Sequence, residues 1–226
     1  MRAALSVIIP TLNAAEGLPA TLASLFEGLE AGLIRELIIT DGGSTDATRV
    51  IAAEAGALFV EGAPSRGGQL RRGAALAQGT WFLILHADTE LPPGWVGAVR
   101  DHMAHQDDAA AFRLAFDARG VMPVLVAGWA NLRTYLFDLP YGDQGLLVSQ
   151  ALLDSVGGYP DQPLMEDVAL ALRLWGHIRL LPLTVRTSAA RYRADGWFRR
   201  GAQNHLRLLR YLLGAKPADL ARHYRR

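Results

Sequence analysis

Three short stretches gather the residue types that chemistry requires. Asp41-Gly42-Gly43-Ser44-Thr45-Asp46 surrounds a glycine pair with two carboxylates, and the glycines permit close approach and positive φ. As structure alone, the same residues make a turn and a helix cap. His86-Ala87-Asp88-Thr89-Glu90 follows the most apolar run of the chain and sets two carboxylates two residues apart. Hard oxygen donors of this kind suit Mg²⁺ or Mn²⁺ held jointly with substrate phosphates; the plain alternative is a polar turn before Pro92-Pro93. Glu166-Asp167 opens an amphipathic segment, where acidic side chains favour the helix dipole whatever else they do. Other chemistries are excluded. The sole lysine is Lys216, so no Walker loop exists, and no G-x-G-x-x-G follows the first strand. With no cysteine there are no disulfides, thiolate zinc sites or cysteine nucleophiles.

The elements that must position these stretches alternate. Apolar runs at 5–10, 36–40, 57–60 and 81–85 read as strands, and helix-period stretches at 15–29, 44–55 and 69–78 lie between them. Ser44 or Thr45 is the expected N-cap of the second helix. Strand and helix in this order imply parallel strands with helical crossovers. Ligands then bind outside the carboxyl ends of the strands, which selects the loops 11–13, 41–46 and 86–90. Beyond Pro92 the pattern predicts helices at 95–105, 150–156 and 166–175, an apolar helix or an interface segment at 121–137, strands at 109–117, 145–148 and 180–187, and a single helix over the last forty residues.

Half of the 226 residues are apolar, enough to bury a core without staples. The net charge of +1 hides a division: residues 186–226 hold eleven of the 23 Lys and Arg but two of the 22 Asp and Glu, leaving that end at +9 and the rest at −8. Leu5–Pro10 is too short for a signal-peptide core, and the most apolar window, 121–137, carries Asn131, Arg133 and Pro123. The expectation is a cytoplasmic protein without a membrane span, with peripheral association on the inner face of the membrane left open.

Taken together, VIIPTLNAAEGL (7–18), IITDGGSTDAT (38–48) and LHADTELPPG (85–94) resemble, in order and spacing, the family 2 glycosyltransferases of the GT-A fold. Tyr141-Gly142-Asp143-Gln144-Gly145, Val156-Gly157-Gly158-Tyr159 and Met165-Glu166-Asp167-Val168 resemble the acceptor-side half of that family, and the combination with an Arg-rich tail is similar to a small bacterial branch of it. The resemblance covers roughly residues 5–190. It implies an α/β fold with a Rossmann-like, mostly parallel sheet flanked by helices: a GT-A domain over 1–190, with a nucleotide-binding half at 1–92 and an acceptor half at 93–190, and a basic amphipathic helical segment over 191–226. The implied activity is inverting, metal-assisted transfer of a hexosyl group from a UDP- or GDP-sugar to a hydroxyl or lipid-linked acceptor. The competing expectation is a non-catalytic nucleotide-sugar-binding or scaffold protein of the same fold.

Residue by residue, the resemblance implies that Pro10, Thr11 and Asn13 line the nucleotide pocket, that Asp41 faces the base and ribose, and that Arg66, Gly67 and Gln69 close over base and phosphates. Asp88 matches the last acidic residue of the metal-binding element, which implies Mn²⁺ or Mg²⁺, with His86 standing where the family usually has an acidic residue and Glu90 as a further ligand. An imidazole there ligates Mn²⁺ more readily than Mg²⁺, or simply packs. Asp167 matches the base, Glu166 orients it or binds acceptor, and Asp143 and Gln144 are candidates for contact with donor sugar or acceptor. The basic tail has three readings: contact with an anionic membrane, closure over the donor diphosphate, or a solvated helix packing its leucines on the body. Nucleic acid is disfavoured by the −8 body and the single lysine.

Overall fold

The computed structural model describes residues 3–224; Arg225 and Arg226, which close the basic end in the sequence, lie outside the described residues. The first half runs β1 (Leu5–Thr11), α1 (Leu18–Ser24), α2 (Phe26–Glu30), β2 (Ile34–Asp41), α3 (Thr48–Glu54), β3 (Leu58–Glu61), α4 (Arg66–Leu76) and β4 (Trp81–Ile84). The second half runs β5 (Thr89–Glu90), α5 (Trp95–His105), β6 (Ala109–Phe116), α6 (Val121–Phe137), a 3₁₀ turn at Gly142–Gln144, β7 (Leu146–Ser149), α7 (Gln150–Ser155), α8 (Glu166–Arg173) and β8 (Ile178–Thr187). Three helices follow: α9 (Ala190–Asp195), α10 (Trp197–Leu212) and α11 (Pro217–Tyr224).

The eight strands form one sheet in the order β3-β2-β1-β4-β7-β6-β8-β5. β3, β2, β1 and β4 are mutually parallel, β7 runs antiparallel to both β4 and β6, and β8 pairs parallel with β6 and antiparallel with β5. The apolar runs of β1 and β4 are continuous because both sheet faces are covered. Alternate residues feed opposite layers: Leu5, Val7, Ile9 and Leu83 enter one core, Ile8, Phe82 and Ile84 the other. The carboxyl ends of β1, β2 and β4 thus open on the same edge, as the strand order requires.

Local hydrogen bonding moves several boundaries away from the sequence expectation. The first helix starts at Leu18 and divides at Leu25, and the second starts at Thr48 rather than Ser44. Ser44 is no cap: its hydroxyl and its N–H both donate to Asp41, which holds 42–46 as a loop. Asp46 instead accepts from the Thr48 N–H and hydroxyl. The third helix starts at Arg66, three residues early, because Ser65 caps the Gly68 N–H, and it ends at Leu76. The expected single C-terminal helix is interrupted at Gly196 (φ 83°) and Gly214 (φ 93°), conformations that glycine adopts freely. Tyr192 and Trp197 stack at 4.8 Å, and both pack edge-on against Phe116.

α4 enters against the 160–162 segment. The Gly67 N–H donates to Gln162 O at 3.0 Å, and a Cβ at Gly67 would lie 2.0 Å from Pro160 O. Backbone meets backbone there, so no side chain can swing aside. Gly67→Ala is expected to cost about 2–3 kcal/mol through overpacking, read as a lower urea midpoint at unchanged m. A midpoint equal to wild type would show that 160–162 yields freely.

Candidate active site

The loops at the strand ends are tied to one another before any ligand arrives. Thr11 donates its hydroxyl to Asp41 at 2.8 Å, and Gly43 N–H, Ser44 N–H and Ser44 hydroxyl complete the shell of that carboxylate, which is 1% exposed. Burial alone would raise the Asp41 pKa, but the bonds from Ser44, Thr11 and Gly43 outweigh it and hold the group below its ordinary value. Asn13 takes a left-handed backbone (φ 51°), which asparagine tolerates, and clamps the first loop to the second: its backbone N–H donates to the Ser44 hydroxyl and its side-chain Oδ1 accepts from Thr45 N–H. Gln69 donates from one amide nitrogen to Thr11 O and Thr40 O, bridging the ends of β1 and β2.

Around this frame lies a cleft of about 540 Å³ lined by Pro10, Thr11, Asn13, Arg66, Gln69, His86, Asp88 and Glu90. Asp41 and Gly67 stand outside that lining, Asp41 beneath the loop it organises and Gly67 at a backbone crossing. A second cavity of about 290 Å³ lies on the other side of Arg66, His86 and Asp88, which border both, as does Arg191 of α9. Asp143 and Asp167 face this second cavity with Tyr141 and Arg133. Gln144 does not. It is fully buried, its carbonyl accepts from Thr134, Tyr141 and Arg133 and its amide donates to Phe112 O, so it fastens the 3₁₀ turn to β6 and α6 rather than facing a ligand.

The dividing wall is electrostatically strained. Burial, then the charges of Arg66 and Arg191, hold the His86 imidazole well below its ordinary pKa, so it is neutral. Its Nε2 meets the Arg66 guanidinium and must therefore be the accepting nitrogen, leaving the proton on Nδ1, 4.0 Å from Asp88. Burial raises the Asp88 carboxyl, opposed by Arg191 and Arg66. Arg66 Nε also reaches Glu166 at 3.1 Å. Glu166 is 2% exposed and its Oε2 has no hydrogen-bond partner; burial pushes its pKa up, against Arg66. Asp143 is pushed up to about 6 by burial, with Arg133 opposing and Asp167 adding to the rise. α8 starts on Met165 in a left-handed conformation (φ 63°), a strained entry that sets the direction of the next two side chains. Asp167 is oriented from both sides, Oδ2 accepting from Gly142 N–H at 2.9 Å and Oδ1 from Val168 N–H at 2.8 Å.

The profile of the family described as glycosyl transferase family 2 matches residues 6–123, more than half of the chain and all three strand-end loops. The chain belongs to that family. A PGL/p-HBAD biosynthesis glycosyltransferase of Mycobacterium bovis (strain BCG / Pasteur 1173P2) is 40% identical over 93 residues, 38% of this chain and 36% of that protein. An uncharacterized glycosyltransferase of Mycobacterium tuberculosis (strain ATCC 25618 / H37Rv) is 34% identical over 92 residues, 40% and 39% of the two chains. The matches thus span about two fifths of these relatives. Among solved structures, S. aureus TarS 1-349 in complex with UDP superposes with a TM-score of 0.62 at 18% identity, over 82% of this chain and 60% of that one. Glucosyl-3-phosphoglycerate synthase from M. tuberculosis, crystallised with Mn²⁺, UDP and glucosyl-3-phosphoglycerate, superposes at 0.60 with 23% identity, over 82% and 70%. The fold is the expected α/β GT-A arrangement.

For a family 2 glycosyltransferase, the second cavity holds residues that motif reading passed over. Arg133, 5% exposed inside the apolar α6, donates to Leu139 O and lies 3.5 Å from the Tyr141 ring centroid. A lone arginine in an apolar helix was its signal, because a buried cation must meet partners. Asn204 and His205 of α10 line the same cavity, beside Arg207 of the basic tail, and nothing short of the chain path places those two there.

Proposed function

We propose that the chain transfers a hexosyl group from a nucleoside diphosphate sugar, a UDP-sugar by likeness to its structural neighbours, to a hydroxyl acceptor with inversion. One observation carries this reading: the Pro10–Asn13 cleft and the Asp167 cavity meet at Arg66, His86, Asp88 and Arg191, so a donor in the first presents its sugar to the second. Asp167 takes the acceptor proton, the acceptor oxygen bonds to the anomeric carbon, and the bond to the diphosphate oxygen breaks with its electron pair on the leaving group. Arg66 and Arg191 offset the charge that gathers there. Asp143, which lines the same cavity, binds a hydroxyl of the sugar or acceptor in this reading.

A divalent ion fits this site only as a shared one. Among the described residues no three His, Asp or Glu side chains gather as a metal site, and Nε2 of His86 is engaged by Arg66. Asp88 remains as one carboxylate, and Glu90 lines the same cleft, a donor set suited to Mg²⁺ or Mn²⁺ that takes its other ligands from phosphates and water. Such an ion supplies charge stabilisation to the departing diphosphate.

The test is a panel of UDP-, GDP- and dTDP-sugars read by melting temperature with and without Mn²⁺, then by nucleoside diphosphate release. One donor is expected to give a saturable shift that Mn²⁺ strengthens, and Asp88→Asn is expected to weaken that Mn²⁺-supported binding by about 10–100-fold. No shift with any donor would sink the reading; a shift unchanged in Asp88→Asn would remove Asp88 from the ion. Donor binding without Asp167-dependent release would favour the non-catalytic alternative.

A further inference from the structure

α6 buries only part of its surface. Its sole charged residue, Arg133, points inward, and the side left outward carries Val124 (70% exposed), Tyr135 (73%) and Leu136 (56%) beside Val121 and Leu132, with no charge among them. α10 continues this surface. The ring of its His205 lies 5.4 Å from that of Trp129, and Phe198, Leu206, Leu209 and Leu213 recur at helical spacing on its exposed side. Exposed Arg199 and Arg210 border that stripe, within the end of the chain that carries +9. An uncharged patch spanning two helices far exceeds the scattered apolar residues of an ordinary surface. Apolar centre, aromatic Trp129 and Tyr135, and an arginine rim match a helix pair lying in the interface of an anionic bilayer. No helix among the described residues is long and apolar enough to cross one.

We propose that the adjoining exposed faces of α6 and α10 seat on an anionic lipid surface. Leu125 and Trp129 of α6 and Gly201 and Asn204 of α10 line the Asp167 cavity, so seating brings the mouth of that cavity to the headgroup layer. The cavity's acceptor role rests on the function proposed above; the seating does not.

Flotation of the full chain with phosphatidylcholine vesicles, with and without phosphatidylglycerol, tests it. The chain is expected to float with the anionic vesicles and to partition poorly into neutral ones. Val124→Glu with Leu136→Glu, and separately Arg199→Glu with Arg210→Glu, are each expected to lower partitioning by about tenfold or more. All four positions are exposed, so melting temperature and the donor-induced shift should persist, and a lost donor shift with intact flotation would strike the functional reading alone. No flotation with anionic vesicles, or flotation indifferent to both double variants, would overturn the proposal. So would a dimer in light scattering that the α6 variant dissociates while the wild type ignores vesicles, since a second copy would then cover the face.

Discussion

Asp167→Asn is expected to retain donor binding and to lose about 10²–10⁴-fold in kcat, the range that a positioned general base supplies. The geometry separates this side chain from its neighbour. Asp167 reaches the second cavity with its carboxylate steered by two backbone N–H groups, from Gly142 and Val168. Glu166 is paired with Arg66 beneath the wall between the cavities and is absent from that lining. An asparagine amide cannot accept a proton, and its NH₂ must face one of two N–H donors, so a local stability cost of about 1–3 kcal/mol accompanies the lost activity. Single-turnover measurement separates the two effects: the chemical step should fall while the donor-induced melting shift survives. Equal turnover in wild type and Asp167→Asn would remove Asp167 from the role of base. Glu166→Gln should act mainly on stability, because its carboxyl meets the Arg66 guanidinium and stands outside the lining of the second cavity.

The first half of the fold was legible because its central strands β1 and β4 are buried on both faces and its helices cross over between the strands. LSVIIP and WFLIL can only be central strands in such a pattern, and the loops they end on follow from it. Boundaries were less legible where side chains compete with the backbone. Asp41 draws in the donors of Ser44, which delays α3 by a turn, and a two-residue strand such as β5 exists only because Thr89 finds Thr187 across the sheet. Among the residues that line the first cleft, Pro10, Thr11, Asn13 and Asp88 sit within a few residues of a strand end, and Arg66 and Gln69 of α4 belong to the SRGGQL stretch, so motif could gather them. Motif position does not say which way a side chain turns. Asp41 and Gln144 carry the right atoms and spend them on the fold: one binds a loop, the other pins a 3₁₀ turn. Arg133 and Asn204 reach the second cavity from helices far along the chain, and their convergence depends on packing that no local pattern encodes, whereas Arg191 belongs to the basic end whose arginines the sequence already singled out.

Removal of the Arg66 charge is expected to destabilise the protein in a pH-dependent way. Glu166 is almost fully buried, one oxygen 3.1 Å from Arg66 Nε and the other without a partner, so its ionised form depends on that guanidinium. Breaking a buried pair from one side costs about 3–5 kcal/mol; Arg66 is itself about a third exposed, and screening brings the expectation for Arg66→Met to about 2–3 kcal/mol at pH 8. The sign with pH follows from burial. The folded-state pKa of Glu166 already lies above its ordinary 4.5, and loss of Arg66 raises it further. Between the unfolded and folded values the native state binds more protons than the unfolded one, so stability falls as pH rises through that window and the penalty vanishes below it. Arg66→Met should therefore approach wild-type stability near pH 5 and depart from it toward pH 8 in urea titrations. His86, relieved of the same cation, shifts the variant in the same direction, and Glu166→Gln in the Arg66→Met background separates the two. That double variant carries no carboxylate at position 166, and it should recover most of the pH 8 loss. A loss equal at pH 5 and pH 8, or one that Glu166→Gln does not relieve, would mean that Arg66 stabilises the fold through packing and its contact with His86 rather than by holding Glu166 ionised beside Asp167.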